Sequence, residues 1–154
     1  MKIVNCNILS HEILQVADAI CFTSNGVLKK NGALVMGAGV AKAFRDYFPG
    51  IDILAGQLVK ENGNVCQEIE LHKYHSGHMM TIVSFPTKYH WKDQSNIKLI
   101  EKSAQELVSL SDENNWKTIY LPRPGCKNGG LSWENEVKLV LLEKLDDRFF
   151  ICGL

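Results

Sequence analysis

Asn31-Gly32-Ala33-Leu34-Val35-Met36-Gly37-Ala38-Gly39-Val40-Ala41-Lys42-Ala43-Phe44 reads as a glycine-bearing loop that runs straight into a helix. Gly37 and Gly39 have no Cβ, so the backbone can turn tightly there and approach a ligand closely. The helix behind them aims its unpaired first N–H groups and its positive dipole end at the loop. Such a site favours an anion, most often a phosphate. Two familiar phosphate loops are excluded. A dinucleotide fingerprint needs a third glycine where Lys42 stands, and a Walker A loop needs Gly-Lys-Ser/Thr where Ala38 follows Gly37.

Outward from this loop, strands and helices alternate. Lys2–Asn5 reads as an opening strand, and Ser10 is placed to cap a short helix through Val16. Ala19-Ile20-Cys21-Phe22-Thr23 is a compact apolar run bounded by Ser24-Asn25-Gly26, as a buried central strand requires. Asn25–Gly39 is then a long loop, of a length usually functional or mobile. Helices are expected over Val40–Tyr47 and Ile51–Lys60, strands over Val65–His72 and Met79–Phe85 around a turn at Ser76-Gly77. Helical spacing of Ile97, Ile100, Ala104, Leu107 and Val108 predicts a helix over Gln94–Leu110. Thr118–Leu121 is a strand, and Pro122–Gly130 a second glycine-rich loop. A helix over Ser132–Leu145 and a last strand at Phe149–Cys152 complete the chain.

The fold class that follows is α/β, a mixed sheet sandwiched by helices. Glycine-rich loops follow Thr23 and Leu121, beyond the carboxyl ends of strands, where open α/β sheets bind ligands. Two anion-friendly loops on one rim point to a ligand with more than one phosphate.

Bulk composition narrows the classes. The 154 residues are 45% hydrophobic and 22% charged with zero formal net charge. That suits one domain burying about 70% of its unfolded surface and argues against sequence-blind binding of polyanions. No apolar run reaches the roughly 18 residues of a membrane span. Cys6, Cys21, Cys66, Cys126 and Cys152 are odd in number and form no Cys-x-x-Cys pair; reduced thiols in a cytoplasmic protein are expected. His72, His75 and His78 are spaced by threes, which splits them between the faces of a strand, and no metal site is expected.

Three separated stretches then carry a resemblance. They are Asn31-Gly32 with Val35-Met36-Gly37-Ala38-Gly39-Val40-Ala41, Phe85-Pro86-Thr87-Lys88-Tyr89-His90-Trp91, and Pro122-Arg123-Pro124-Gly125-Cys126-Lys127-Asn128-Gly129-Gly130-Leu131-Ser132-Trp133. Together they span nearly the whole chain and resemble a macro domain, the ADP-ribose-binding fold. The branch they are similar to contains the DNA ADP-ribosyl glycohydrolase antitoxins, the terminal ADP-ribose glycohydrolases, the ADP-ribose-1''-phosphate phosphatases and many phage macro proteins.

The resemblance implies a single domain over residues 1–154, a three-layer α/β/α macro domain with a mixed central sheet of about six strands. It implies that Asn7 and Ile8 meet adenine, and that Gly37, Ala38 and Gly39, flanked by Val35, Met36 and Val40, wrap the distal ribose and its phosphate. Gly125, Cys126, Lys127, Asn128, Gly129 and Gly130, between Pro124 and Leu131, would cradle the diphosphate with backbone N–H groups. Asn25 and Asn31 would orient the distal ribose or a water. Lys88 matches the lysine that the glycohydrolase members use in catalysis. Implied with these are ADP-ribose or an ADP-ribosylated nucleic-acid base or protein side chain as partner, a monomer without cofactor, and hydrolysis at the distal ribose. ADP-ribose-1''-phosphate phosphatase activity and non-catalytic binding are the alternatives.

This chain departs from the family pattern in five places. Asn7 and Ser132 each replace an Asp, Lys127 stands where Gly is common, and Gly129 occupies the place of a catalytic acid in terminal glycohydrolases. Cys152 replaces an aromatic that some relatives stack on adenine. Other residues have two readings on their chemistry. His90 is an acid–base candidate or a loop histidine bonded to backbone. Cys126 is a nucleophile or a packed thiol, Trp91 and Trp133 are packing anchors before base platforms, and Arg123 either faces a phosphate or braces its loop.

Overall fold

The computed structural model describes residues 1–153. In chain order its strands are β1 (Lys2–Val4), β2 (Ala19–Ser24), β3 (Gln67–Lys73), β4 (Met79–Pro86), β5 (Ile119–Pro122) and β6 (Phe149–Cys152). Its helices are α1 (His11–Val16), α2 (Gly39–Tyr47), α3 (Ile51–Asn62), α4 (Ile97–Asn114) and α5 (Lys138–Lys144), the last entered through a π-helical turn at Trp133–Val137.

The apolar run of β2 sits in the middle of one sheet, ordered β1-β6-β5-β2-β4-β3. β2 pairs in parallel with β4 on one side and β5 on the other. Only β3, joined to β4 by the Ser76-Gly77 turn, is antiparallel. Alternate residues of β2 then serve two cores. Ile20 and Phe22 face α1, α2 and α3 with Leu14, Phe44 and Ile51. Ala19 and Cys21 face α4 and α5 with Ile100, Leu107, Val137 and Leu141. Helices on both faces of a mixed six-stranded sheet give the three-layer α/β/α architecture that the resemblance implied. No helix among the described residues is long and apolar enough to cross a membrane.

Several boundaries move for local reasons. α4 begins at Ile97, three residues later than its periodicity suggested, because Asn96 caps it by accepting from Leu99 N–H at 3.0 Å. It continues to Asn114, where Asn115 turns left-handed. The Ser132–Leu145 helix is divided: Ser132 Oγ accepts from Asn135 N–H, and the first turn is π-helical before α5 proper. Ser10 occupies the N-cap position of α1, yet its side chain makes no capping bond.

The long loop after β2 is held, not slack. Leu28 and Leu34 form an isolated bridge, Val35 N–H donates to Val27 O, and Leu34 N–H donates to Asp52 O at the start of α3. Leu34 and Met36 are buried in the core. The carbonyl of Gly32 lies on Gly56 of α3, so closely that a Cβ at position 56 would overlap it. Both partners are backbone, which cannot rotate away. Gly56→Ala is therefore expected to cost at least about 2 kcal/mol despite the better helix propensity of alanine; urea unfolding of the two proteins checks this, and equal midpoints would refute the contact.

Candidate functional site

Four parallel strands, β2, β4, β5 and β6, end on the same edge of the sheet. The segments that leave them surround a cleft of about 880 Å³. Asn25 and Val35–Ala41 come from the loop after β2, and Thr87, Lys88, Trp91 and Ser95 from the loop after β4. Arg123 and Gly125–Gly129 follow β5, and Cys152 and Gly153 close β6.

Val35, Met36, Gly37, Ala38, Gly39 and Val40 all line the cleft. Gly39 has φ +58°, and α2 starts there with no side chain capping it. Its first N–H groups are thus left to whatever occupies the cleft. From the other side, Gly125, Cys126, Lys127, Asn128 and Gly129 line it too. The two loops approach each other: a Cβ on Gly39 would lie 3.0 Å from Asn128 Nδ2. The second loop is tightened by Leu131 N–H donating to Gly125 O and Ser95 N–H donating to Gly129 O. Gly125 turns at φ +75°, where a Cβ would meet Ser95 Cβ at 2.9 Å.

Lys88 lies half-buried between the loops. Its Nζ donates to Asn128 O at 3.3 Å and to Trp91 O at 3.5 Å. Among the described residues no aspartate or glutamate lines the cleft. The lysine's own carbonyl accepts from Asn64 Nδ2 at 3.0 Å, and Gly26 N–H donates to Tyr89 O at 3.2 Å. The first bond ties the lysine loop to the segment after α3, and the second ties it to the start of the first glycine loop.

The two asparagines separate. Asn25 lines the cleft, with Nδ2 donating to Val35 O and Oδ1 accepting from Val27 N–H, each at 3.0 Å. Asn31 is exposed at the loop's far end, outside the lining residues, with Oδ1 accepting from Ala33 N–H. His90 is also outside the lining. Its Nδ1 accepts from Lys92 N–H at 3.1 Å, the backbone-bonded arrangement. Asn7 is exposed and bonded to Leu9 N–H, and Ile8 is buried in the core. Pro124, Gly130 and Leu131, expected to meet the ligand, are not among the lining residues.

Trp133 is buried, as an anchor should be, with the Arg123 guanidinium 5.0 Å over its ring. Trp91 is not an anchor: it lines the cleft and is 48% exposed, two residues after the still more open Tyr89. Arg123 both braces its loop and lines the cleft, and its buried Nε has no partner. Sequence reasoning missed Ser95, whose buried Oγ is unpartnered beside the second loop, and Gly153, where a Cβ would fall 2.6 Å from Arg123 Nη2. The motif Phe85–Trp91 stops short of Ser95, and only the chain reversal before α4 returns that residue to the site. His72 packs between Phe48 and Tyr74, while His78 bonds Ala17 O.

A model of the Macro domain family matches residues 29–140. The chain belongs to the macro domain family. Over 115 residues, 73% of its length, this macro domain is 36% identical to a DNA ADP-ribosyl glycohydrolase of Thermus aquaticus, and it spans 31% of that longer protein. The macrodomain of Thermus aquaticus DarG superposes with a TM-score of 0.75 at 28% identity, covering 99% of this chain and 97% of that one. Thermosipho africanus DarTG, solved in complex with ADP-ribose, superposes with a TM-score of 0.70 at 27% identity over 88% of this chain and 38% of its own.

Cys126 carries the chemistry of a packed thiol. Its Sγ donates to Pro124 O at 3.4 Å, and burial, opposed by the Arg123 cation, pushes the thiol up to about 11. Its alkylation by iodoacetamide is expected to rise about tenfold per pH unit from pH 8 to 10. Peptide mass spectrometry of the time course reads this, and a plateau near pH 8.5 would contradict it.

Proposed function

We propose that this macro domain binds ADP-ribose in the cleft and hydrolyses the bond joining the distal ribose to a modified DNA base. The observation that carries the reading is the facing pair of bare-backbone loops with a lysine between them. Gly37–Gly39 and the uncapped start of α2 supply N–H groups on one side, and Gly125–Gly129 supply them on the other. A diphosphate fits between two such donor sets, because N–H groups of a helix start and a turn both favour anions. The distal ribose then extends toward Lys88, and the adenosine toward Arg123, Cys152 and Gly153.

The choice of a DNA base draws on the relatives' names and on the cleft mouth. Trp91 and Tyr89 offer exposed ring faces there, and Lys88, Lys92 and Lys127 supply cations. Rings of this kind stack bases, while cations meet phosphates. For the chemistry, Lys88 is held by two carbonyl oxygens, an arrangement suited to an ammonium donor. It stabilises negative charge on the departing base and delivers the proton that the base takes as the C1'' bond breaks, while water adds at C1'' and gives up a proton that restores the Lys88 ammonium. Asn25 fixes the first loop against the ribose. The second reading is a binding module without turnover, favoured because no aspartate or glutamate among the described residues lines the cleft to activate water.

Wild type and Lys88→Ala are compared on three substrates: a single-stranded oligonucleotide carrying ADP-ribose on a base, an ADP-ribosylated protein, and ADP-ribose 1''-phosphate. Release of ADP-ribose from the oligonucleotide is expected, falling at least about 100-fold in the variant, with the Kd for ADP-ribose within roughly fivefold of wild type. Binding without turnover of any substrate would establish the module. Phosphate release that survives the substitution would establish a phosphatase.

A further inference from the structure

The first and last strands lie side by side at one edge of the sheet. β1 and β6 pair in parallel with Val4 opposite Cys152, and Gly153 N–H donates to Val4 O at 2.9 Å. Past β1 the chain brings Cys6 over the end of β6, with its Sγ 2.6 Å from Cys152 Sγ. That is well inside ordinary non-bonded contact, roughly 3.5–4.0 Å between carbon atoms, and a small movement from the roughly 2.05 Å of a disulfide. Both cysteines are free thiols here.

We propose that Cys6 and Cys152 form a redox pair that closes reversibly into a disulfide, fastening the first strand to the last at the wall of the cleft. The inference does not depend on what the cleft binds. Cys6 is half-buried and Cys152 buried, so an oxidant meets Cys6 first. Burial and the adjoining Cys6 sulfur push the Cys152 thiol up, which keeps it the second to react. With a low-molecular-weight disulfide as oxidant, the Cys6 thiolate attacks one sulfur and expels a thiolate, which takes up the proton Cys6 gave up. Cys152, losing its own proton, attacks the Cys6 sulfur of this mixed disulfide and expels the second small thiol. Two protein thiols are oxidised and one small disulfide is reduced to two thiols.

The bond would close a loop between positions 146 residues apart. Constraining nearly the whole chain removes much of the unfolded state's freedom, and the effect grows with loop length. Oxidation should therefore raise stability, the more so because β1 is a three-residue strand paired only with β6.

The unaltered chain is incubated with oxidised glutathione, alkylated, digested without reduction and mapped by mass spectrometry, with melting followed in parallel. The expected result is loss of two hydrogens in the intact mass, a peptide pair joined through Cys6 and Cys152, and a Tm higher by at least about 5 °C. Dithiothreitol should reverse all three. Cys6→Ser should abolish the response and Cys126→Ser should keep it. A glutathione adduct that never resolves, a link through Cys126, or a 6–152 link without a rise in Tm would each overturn the proposal. The mapping uses the chain as it stands, so no variant's folding decides it.

Discussion

Parallel pairing on both sides of β2 is the constraint from which the rest follows. A parallel neighbour cannot be reached by a tight turn, so each crossover must travel the length of a helix. The carboxyl ends of β2, β4, β5 and β6 consequently share one edge. Loops that are far apart in sequence are delivered there together. The cleft is the space those four exits cannot fill, and its donors are mostly main chain. That is why small residues recur around it: a side chain at Gly39 or Gly125 would occupy the room where Asn128 or Ser95 now stands.

The electrostatics are local. A chain with zero net charge has no long-range pull on a polyanion. Within the cleft the balance differs, since Lys88, Arg123 and Lys127 line it and, among the described residues, no aspartate or glutamate does. Together with an uncapped helix start, this makes a small region selective for negative charge, while the balancing negative charge lies on the rest of the chain. A site of this design favours a compact, highly charged group over an extended one.

Much of this was legible from residue order. The run Ala19–Thr23 between turn residues read as a buried central strand, and glycines at 37 and 39 before a helix implied a turn with free amides. Lys88 was marked by its place in Phe85–Trp91. What remained hidden depends on tertiary approach. Nothing local distinguishes Asn25 from Asn31, each followed by glycine, yet one amide spans the loop to Val35 and the other closes a turn at its tip. Ser95 precedes α4 by two residues and gives no signal of its own until Gly129 folds onto it. Asn7 Oδ1 and His90 Nδ1 likewise accept from neighbouring backbone amides, which residue type alone does not disclose.

The grip of Asn64 on the Lys88 carbonyl has a mechanical corollary. With its main chain anchored from α3's exit and its loop joined to the first glycine segment through Gly26 and Tyr89, the lysine can move only by rotating about its side-chain bonds. The amine thus swings on a flexible arm from a stationary base. In the proposed binding mode, sugars of different pucker or tilt would be met by rotamer adjustment within picoseconds to nanoseconds.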